Sequence, residues 1–339
     1  MKITKKLVLS VLFIVCASRP IFSQDGLWED LYNQAGKLIS DGKYEEGIQV
    51  ARKALRVAET NFGPKDVKAA WSLNVLAHFY LLDGKFGEAE SFANQALEIT
   101  KDDPNILNNL AIIYTEEGKF SEAEKIAERA VNLSQKTFGK DDPKTAESLS
   151  TLAGVYRTQG KYFEAEPLYE RALKLWKEEL GEDHPKVVLT LGNLGSVYGA
   201  LGKYDEAEKL LKKVLSIHES TLPPDHPILA LTFREMGKLY IREGNLISAE
   251  FYLKRSLEIQ EKVLGHNHPE VGATVGRLGL LYRLQKRFKE SESYYKQSLK
   301  IFEKAYGQDS PYVRDVKKEL KLLDDEMSKS AAKQPQANI

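Results

Sequence analysis

The sequence predicts an all-α protein, a solenoid of about seven helix-turn-helix repeats that ends in a C-terminal capping helix. The first observation is an internal repeat. The segment GKYEEGIQVARKAL at Gly42 returns in six related copies, which start at Gly84, Gly118, Gly160, Gly202, Gly244 and Lys286. The intervals are 42, 34, 42, 42, 42 and 42 residues. The second observation is that apolar residues recur at helical spacing, and no segment combines strand alternation with turn signals.

Residues 1–23 differ from the repeats and are typical of a secretory signal peptide. Lys2, Lys5 and Lys6 precede an apolar run that includes Cys16, and Ser23 offers a small residue at a cleavage site. The run is shorter than the ~20 residues of a membrane span, so we expect no stable span after cleavage. The alternative is an uncleaved anchor. We therefore expect a secreted, periplasmic or other cell-envelope protein, whose mature chain has a net charge of −4.

Tandem repeats are predicted over residues 28–311, and each repeat contains two helices. In one copy, Leu191, Leu194 and Tyr198 form the apolar stripe of a first helix, which we expect to end near Gly202. The second helix then carries small residues such as Ala207, where two helix backbones must approach closely. One hairpin cannot bury its own apolar face, so its neighbours must supply the core.

The chain resembles the tetratricopeptide repeat family through a spacing shown in one copy by Leu194, Gly195, Tyr198, Gly202, Tyr204 and Ala207. The 42-residue copies resemble the longer repeats of kinesin light chains, in which the motif LGxDHP joins successive repeats. This resemblance implies a right-handed superhelical solenoid whose first helices line a concave groove for an extended peptide. The eight extra residues are expected to lengthen each second helix by about two turns.

The C-terminal segment predicts a capping helix over residues 312–327 and a disordered tail over residues 328–339. Val313, Val316, Leu320, Leu323 and Met327 form one apolar stripe, while charged residues occupy the remaining faces. A solenoid needs such a helix to close its open end. The last twelve residues show no apolar period.

A column of histidines at the junctions between repeats could indicate metal ligands or proton-transfer groups. Aligned by repeat, however, the column contains Asp142, His184, His226, His268 and Ser310. Asp and Ser are good helix N-caps, and the proline that follows each residue suits the first helical position. We therefore predict that this column caps helices, with His184 before Pro185 as one example.

Catalytic and cofactor signatures are missing from the sequence, so we predict no enzyme activity, no cofactor and no metal site. Phosphate-binding loops, dinucleotide fingerprints, zinc-protease and serine-hydrolase motifs are all absent. The recurrent EAE pairs are interpreted as a feature of the scaffold. Because the formal net charge of the whole chain is zero, nothing suggests nucleic acid as a partner.

An asparagine column suggests where a peptide could bind. In the family that the chain resembles, an Asn five residues before the first-helix Tyr grips an extended peptide. The matching column here contains Asn33, Val75, Asn109, Thr151, Asn193, Glu235 and Arg277. Three asparagines match, and an Asn amide can bond both polar groups of a peptide backbone.

One repeat departs from the others by a basic stripe. Arg234, Lys238 and Arg242 lie at i, i+4 and i+8, and Arg277 on the next first helix adds charge beside them. One hypothesis is a site for an acidic peptide, a C-terminal carboxylate or an anionic glycan. The other is a solvated face whose charge is balanced by Glu235 and Glu243.

The sequence therefore favours an exported, non-enzymatic scaffold or adaptor that binds peptides or envelope proteins in its groove. Two alternatives remain open: a glycan-binding or enzymatic envelope component built on the same repeats, and a purely architectural spacer. The oligomeric state is not indicated.

Overall fold

The computed structural model describes residues 24–40 and 43–332. The predicted signal peptide, with Cys16, and residues 333–339 lie outside the described residues. The described part of the chain contains fifteen helices and no strand: α1 Gln24–Ser40, α2 Tyr44–Phe62, α3 Val67–Leu82, α4 Phe86–Thr100, α5 Pro104–Glu116, α6 Phe120–Thr137, α7 Thr145–Thr158, α8 Tyr162–Leu180, α9 Pro185–Ala200, α10 Tyr204–Thr221, α11 Pro227–Glu243, α12 Leu246–Leu264, α13 Pro269–Leu284, α14 Phe288–Tyr306 and α15 Pro311–Ala332.

First and second helices alternate along α1 to α14, and α15 follows as the last described helix. The pairs α1–α2, α3–α4, α5–α6 and α7–α8 pack as hairpins in one compact unit, and α11–α12 and α13–α14 do so in the other. The prediction of an all-α repeat fold is thus confirmed. Two compact units make up the chain. The N-terminal unit ends at Val197 and the C-terminal unit begins at Tyr198, inside α9.

Small residues let the two helices of each hairpin approach closely. One column near the start of the second helix is fully buried in five repeats, as Ala89, Ala123, Ala165, Ala207 and Ala249. The turn between the helices requires a left-handed backbone, which glycine adopts without a steric penalty. Gly202, for example, has φ of +79°, so the helix end expected near this residue is confirmed.

The junction column caps the first helices, as predicted. The Nδ1 atoms of His184, His226 and His268 accept hydrogen bonds from backbone N–H groups two residues later, at 3.2, 3.2 and 3.1 Å. Asp142 accepts from the backbone N–H of Lys144 at 2.8 Å, and Ser310 from that of Val313 at 3.3 Å. One detail of the prediction is wrong. After Asp142 the helix begins at Thr145, because a turn still includes the intervening proline.

A carboxylate near the start of four second helices, α4, α6, α10 and α12, ties its repeat to the next. We call Glu90, Glu124, Glu208 and Glu250 the clamp carboxylates. Each is the Glu that ends an EAE or SAE segment. Each accepts hydrogen bonds from side chains of the following repeat. Tyr114 and Lys119 donate to Glu90, and Gln159 and Lys161 donate to Glu124. Tyr240 donates to Glu208, and Tyr282 and Gln285 donate to Glu250. The EAE pairs are therefore part of the scaffold, and their second member joins neighbouring repeats.

Three of the clamp carboxylates, Glu124, Glu208 and Glu250, have lowered pKa values. The hydrogen bond from Lys161 lowers the pKa of Glu124, and that from Tyr240 lowers the pKa of Glu208. Burial would raise the pKa of Glu250, but hydrogen bonds from Lys254, Gln285 and Tyr282 outweigh it and lower the pKa to about 2.

The extra residues of the 42-residue repeats do not all lengthen the second helix, so that prediction was wrong. In the 34-residue interval, α4 has 15 residues, whereas α6 has 18 and α8 has 19. The gain in the second helix is therefore about one turn. The remaining residues form longer junctions and longer first helices, since α5 has 13 residues and α3 has 16.

The capping helix is longer than the predicted 312–327. It begins at Pro311 and continues to Ala332, so the predicted disorder is wrong for residues 328–332. Ser328 to Ala332 contains no glycine or proline, and nothing in this stretch stops a helix that α14 already supports. The buried side chains of Val313, Val316 and Leu323 pack on the last hairpin, which is the capping role that the sequence suggested.

We expect Glu124→Gln to lower the free energy of unfolding by about 1 kcal/mol, because it weakens the bond to Lys161 of the next repeat. Glu122→Gln is the matched control, since Glu122 is the exposed first member of the same EAE pair, and we expect a change below ~0.5 kcal/mol. Urea denaturation of both variants provides the measurement. Equal losses of stability would contradict the assigned role.

The same carboxylates give stability a dependence on acid pH. The folded-state pKa values of Glu124, Glu208 and Glu250 are lowered, so their stabilisation is complete above the unfolded value of about 4.5. It is lost as the pH falls through the folded values, which for Glu250 is about 2. Thermal midpoints measured between about pH 6 and about pH 2.5 should decline, and the decline should be shallower in Glu250→Gln. An identical decline in this variant would show that other groups dominate.

Candidate functional site

The helix α11 carries the basic stripe on one face. Arg234, Lys238 and Arg242 are spaced by four residues, so the helical backbone places the three side chains one above another. Gly199 in α9 leaves space beside the stripe, where the Nη1 atom of Arg242 lies 3.8 Å from the position of a Cβ atom at residue 199. Arg277 belongs to α13, the next first helix. We call Arg234, Lys238, Arg242 and Arg277 the basic cluster.

Two cations of the basic cluster have internal partners. Nη1 of Arg234 lies 2.5 Å from Oε2 of Glu270, in the first turn of α13. Nζ of Lys238 lies 2.8 Å from both carboxylate oxygens of Glu235, three residues earlier on α11. The sequence-based alternative named Glu235 and Glu243 as counter-ions. Glu235 has this role, whereas the partner of Arg234 is Glu270.

Arg277 differs from these two residues because it is an accessible cation. Its side chain is exposed, and within the described part of the chain it makes no ion pair or side-chain hydrogen bond. The pKa of its guanidinium is lowered, first by desolvation and then by Arg234 and Arg242, while Glu235 opposes the shift. Desolvation is the first cause of this shift, and Arg234 and Arg242 add positive charge near Arg277.

Lys238 lies in a more enclosed environment than its neighbours on the stripe. Desolvation lowers its pKa, Glu235 partly restores it, and Arg277 and Arg234 lower it further. Its side chain is 22% exposed and that of Glu235 is 28% exposed. This pair is therefore partly buried, and removing either charge would leave the other poorly solvated.

The capping helix neutralises the next cation along the first helices. The guanidinium of Arg283 on α13 contacts Glu326 at 2.7 Å and Glu319 at 3.2 Å, both on α15. Tyr295 also hydrogen-bonds to Glu319, at 3.1 Å. The charge of Arg283 is thus paired within the fold.

The three asparagines of the predicted peptide-binding column have different environments. Asn33 on α1 is exposed, and Asn193 on α9 is partly buried. Asn109 on α5 is only 8% exposed, and its amide donates to Oδ1 of Asn74 at 2.8 Å. Asn33 and Asn193 therefore remain predicted peptide contacts, whereas the amide of Asn109 already has an internal partner.

Two residues that contact the predicted site residues were not predicted from the sequence: Glu270 beside Arg234, and His78 beside Asn109. Glu270 pairs with Arg234 from 36 residues away, a separation that no helical spacing reveals. His78 is buried beside Asn109, and burial lowers its pKa to about 4 although the Asn109 amide opposes the shift. The only available signal was that Asn74 and His78 stand in the columns that Arg234 and Lys238 occupy four repeats later.

Neither a metal-ligand cluster nor a membrane-spanning helix is found among the side chains and helices of the described residues. Over residues 24–40 and 43–332, no three or more His, Cys, Asp or Glu side chains lie together as metal ligands would. Within the same ranges, no helix has the length and apolar character needed to cross a membrane.

The stacked hairpins and the variable first-helix columns define a helical-repeat protein of the interaction-scaffold class. The family model for the tetratricopeptide repeat matches residues 30–102, 102–162, 147–220, 188–262 and 228–304. The chain therefore belongs to the tetratricopeptide repeat family, and the resemblance noted in the sequence is confirmed.

Several solved structures are similar to the chain. BtubC (BKLC) from P. vanneervenii is 24% identical over 70% of this chain and 92% of its own, with a TM-score of 0.51. A Rap protein complexed with Competence and Sporulation Factor is 15% identical over 91% of this chain and 87% of its own, with a TM-score of 0.68. Nearly identical TPR-like repeats of a putative kinesin light chain from Podosopora anserina are 27% identical, over 60% and 99%, with a TM-score of 0.48. The comparison with curated proteins finds no match.

The internal pairing predicts unequal effects of charge reversal within the basic cluster. We expect Lys238→Glu to lower the free energy of unfolding by roughly 2 kcal/mol, because it places a second carboxylate beside the partly buried Glu235. Arg277→Glu should cost less than ~0.5 kcal/mol, since Arg277 is exposed and its neighbours Arg234 and Arg242 are cations. Chemical denaturation of both variants measures the difference. A larger loss in Arg277→Glu would contradict this description of the cluster.

Proposed function

We propose that this protein is an exported, non-enzymatic interaction scaffold that binds an acidic peptide segment at the basic cluster. The observation that carries the proposal is the accessible cation Arg277, near which Arg234 and Arg242 add positive charge. The tetratricopeptide fold supports the scaffold role, because its framework residues serve stacking and leave the first-helix columns free to vary.

The charge balance of the basic cluster favours an anionic partner. Two carboxylates, Glu270 and Glu235, pair with Arg234 and Lys238, and Arg277 adds an exposed positive charge beside these pairs. Guanidinium groups bind carboxylates through two parallel hydrogen bonds, and desolvated surroundings strengthen such contacts. Arg277 is the residue that we assign to direct contact with the peptide. Arg234 and Lys238 supply additional positive potential while paired.

A peptide fits the remaining columns better than a free anion does. The amides of Asn33 and Asn193 lie on first helices of the N-terminal unit and can bond an extended backbone whatever its sequence. An acidic side chain or C-terminal carboxylate is the group that we expect the basic cluster to bind. An anionic glycan and a spacer without a ligand are the competing functions.

Binding of a fluorescent oligo-glutamate peptide, followed by anisotropy, tests the proposed site. We expect binding at low salt that weakens as salt screens the charges. Arg277→Ala should reduce the affinity about tenfold, because it removes one direct charge contact. A sulfated oligosaccharide of equal charge serves as the competing ligand.

Arg255→Ala is the matched control for this experiment. Arg255 is an exposed cation of the same unit, and it pairs with Glu258 on its own helix α12 at 2.9 Å. We expect its removal to leave the affinity unchanged. The assignment fails if both variants bind alike or if the oligosaccharide alone binds, and absence of any binding would favour the spacer.

Export is the second part of the proposal and rests on residues 1–23. Three lysines, an apolar run and Ser23 together form the pattern that the secretory machinery recognises and cleaves. The basic residues before the run and the length of the run support export over retention as a spanning helix.

Cell fractionation followed by mass measurement of the intact protein tests export. We expect the protein outside the cytoplasm, with Gln24 as its first residue. Replacing Lys2, Lys5 and Lys6 by Glu should retain the uncleaved chain in the cytoplasm, because the basic head orients the signal. A full-length wild-type chain in the cytoplasm would overturn this part of the proposal.

A further inference from the structure

Two histidines from different elements hold the start of α11, the helix that carries the basic stripe. His226 is the N-cap of α11, and its Nδ1 atom accepts a hydrogen bond from the backbone N–H of Ile228 at 3.2 Å. An imidazole nitrogen that accepts a hydrogen bond carries no proton. The cap therefore requires the neutral ring.

The second histidine is His218, in the last turn of α10. Its Nδ1 atom lies 2.9 Å from Oγ1 of Thr232 on α11. The Thr232 hydroxyl donates its proton to the carbonyl of Ile228 at 3.1 Å, so it accepts from the ring. His218 therefore carries its proton on Nδ1 and keeps this contact when Nε2 is also protonated. The two rings use Nδ1 in opposite roles.

The surroundings of both rings disfavour the charged form. Desolvation lowers the pKa of His226, and it lowers that of His218, which the charge of His226 lowers further. From α12, Lys262 approaches this junction and pairs with Asp225, the residue before the cap, at 2.5 Å. In the described ranges neither ring forms an ion pair with a carboxylate. No contacting carboxylate therefore compensates the positive charge that protonation of a ring adds.

We propose that His226 and His218 form a clasp at the start of α11 in which His226 is the pH-sensitive member. His226 holds the first turn at neutral pH and releases it in acid, whereas His218 keeps its contact with Thr232. Protonation of Nδ1 removes the acceptor for the N–H of Ile228. It also places a positive charge at the positive end of the helix dipole. The consequence for function, which rests on the proposed acidic-peptide site, is weaker binding by the stripe on the same helix.

The direction of the pH dependence follows from the lowered pKa values. Because the folded chain favours neutral rings, the stabilisation is complete above the unfolded pKa of about 6.5. It is lost as the pH falls through the lower folded values.

The chain itself offers matched substitutions at both positions. Asp66 occupies the column of His226, and as the N-cap of α3 it accepts a hydrogen bond from the backbone N–H of Lys68 at 2.8 Å. Gln260 occupies the column of His218 and bonds Thr274 at 2.6 Å. His226→Asp and His218→Gln therefore keep the contacts, and each removes one titrating group.

Hydrogen–deuterium exchange at about pH 7.5 and about pH 5 tests the clasp directly, after correction for the intrinsic exchange rates. In the wild type, the protection factors of the Ile228, Leu229 and Ala230 amides should be about fivefold lower at the acid pH, as loss of an N-cap implies. His226→Asp should retain protection at both values. His218→Gln should still lose it, because His226 remains.

Anisotropy with the oligo-glutamate peptide on the same samples tests the functional consequence. We expect weaker binding at about pH 5 in wild type and little change in His226→Asp, since most glutamates remain ionised there. Equal loss of protection in wild type and His226→Asp overturns the clasp. Loss of protection without loss of affinity overturns its coupling to the stripe. If no peptide binds at either pH, the proposed function fails, and the exchange data alone decide the clasp.

Discussion

Each hairpin of this protein has an apolar face that only the next hairpin can bury, and the rest of the structure depends on that constraint. Stacking accounts for the buried alanine column, in which any larger side chain would separate the helices. It also accounts for the clamp carboxylates, which join Glu250 of one repeat to Tyr282 and Gln285 of the next. Stacking contacts of this kind recur from repeat to repeat, so similar residues return at the same positions along the chain.

Columns that do not serve stacking are free to serve a partner. The position of Lys238 is held in other repeats by His78, Gly154 and Leu280, so the framework does not require a cation there. The cations of α11 carry a cost, since Lys238 is partly desolvated and depends on Glu235. Concentrating charge where the scaffold gains no stability from it is typical of a binding site. Internal pairing with Glu235 and Glu270 then leaves Arg277 as the accessible group.

The junction histidines show how one residue type can suggest chemistry and yet serve structure. Their spacing of 42 residues places each at a separate junction, and every ring accepts a backbone N–H through Nδ1. A carboxylate or hydroxyl does the same work at Asp142 and Ser310. What distinguishes histidine from these two residues is that its acceptor disappears on protonation within the biological pH range. Capping and sensitivity to acid are thus compatible roles of one side chain.

The sequence by itself determined the helical hairpins, the number of repeats, the caps and the position of the basic stripe. All of these follow from local spacing, since helix periodicity, glycine turns and N-caps act within a few residues. Only the tertiary structure decided that Glu270 pairs with Arg234, that Asn74 accepts a hydrogen bond from the amide of Asn109, and that α15 continues to Ala332. The two pairings join residues that are distant in the chain. Pairing across repeats depends on how helices stack, which local periodicity does not specify.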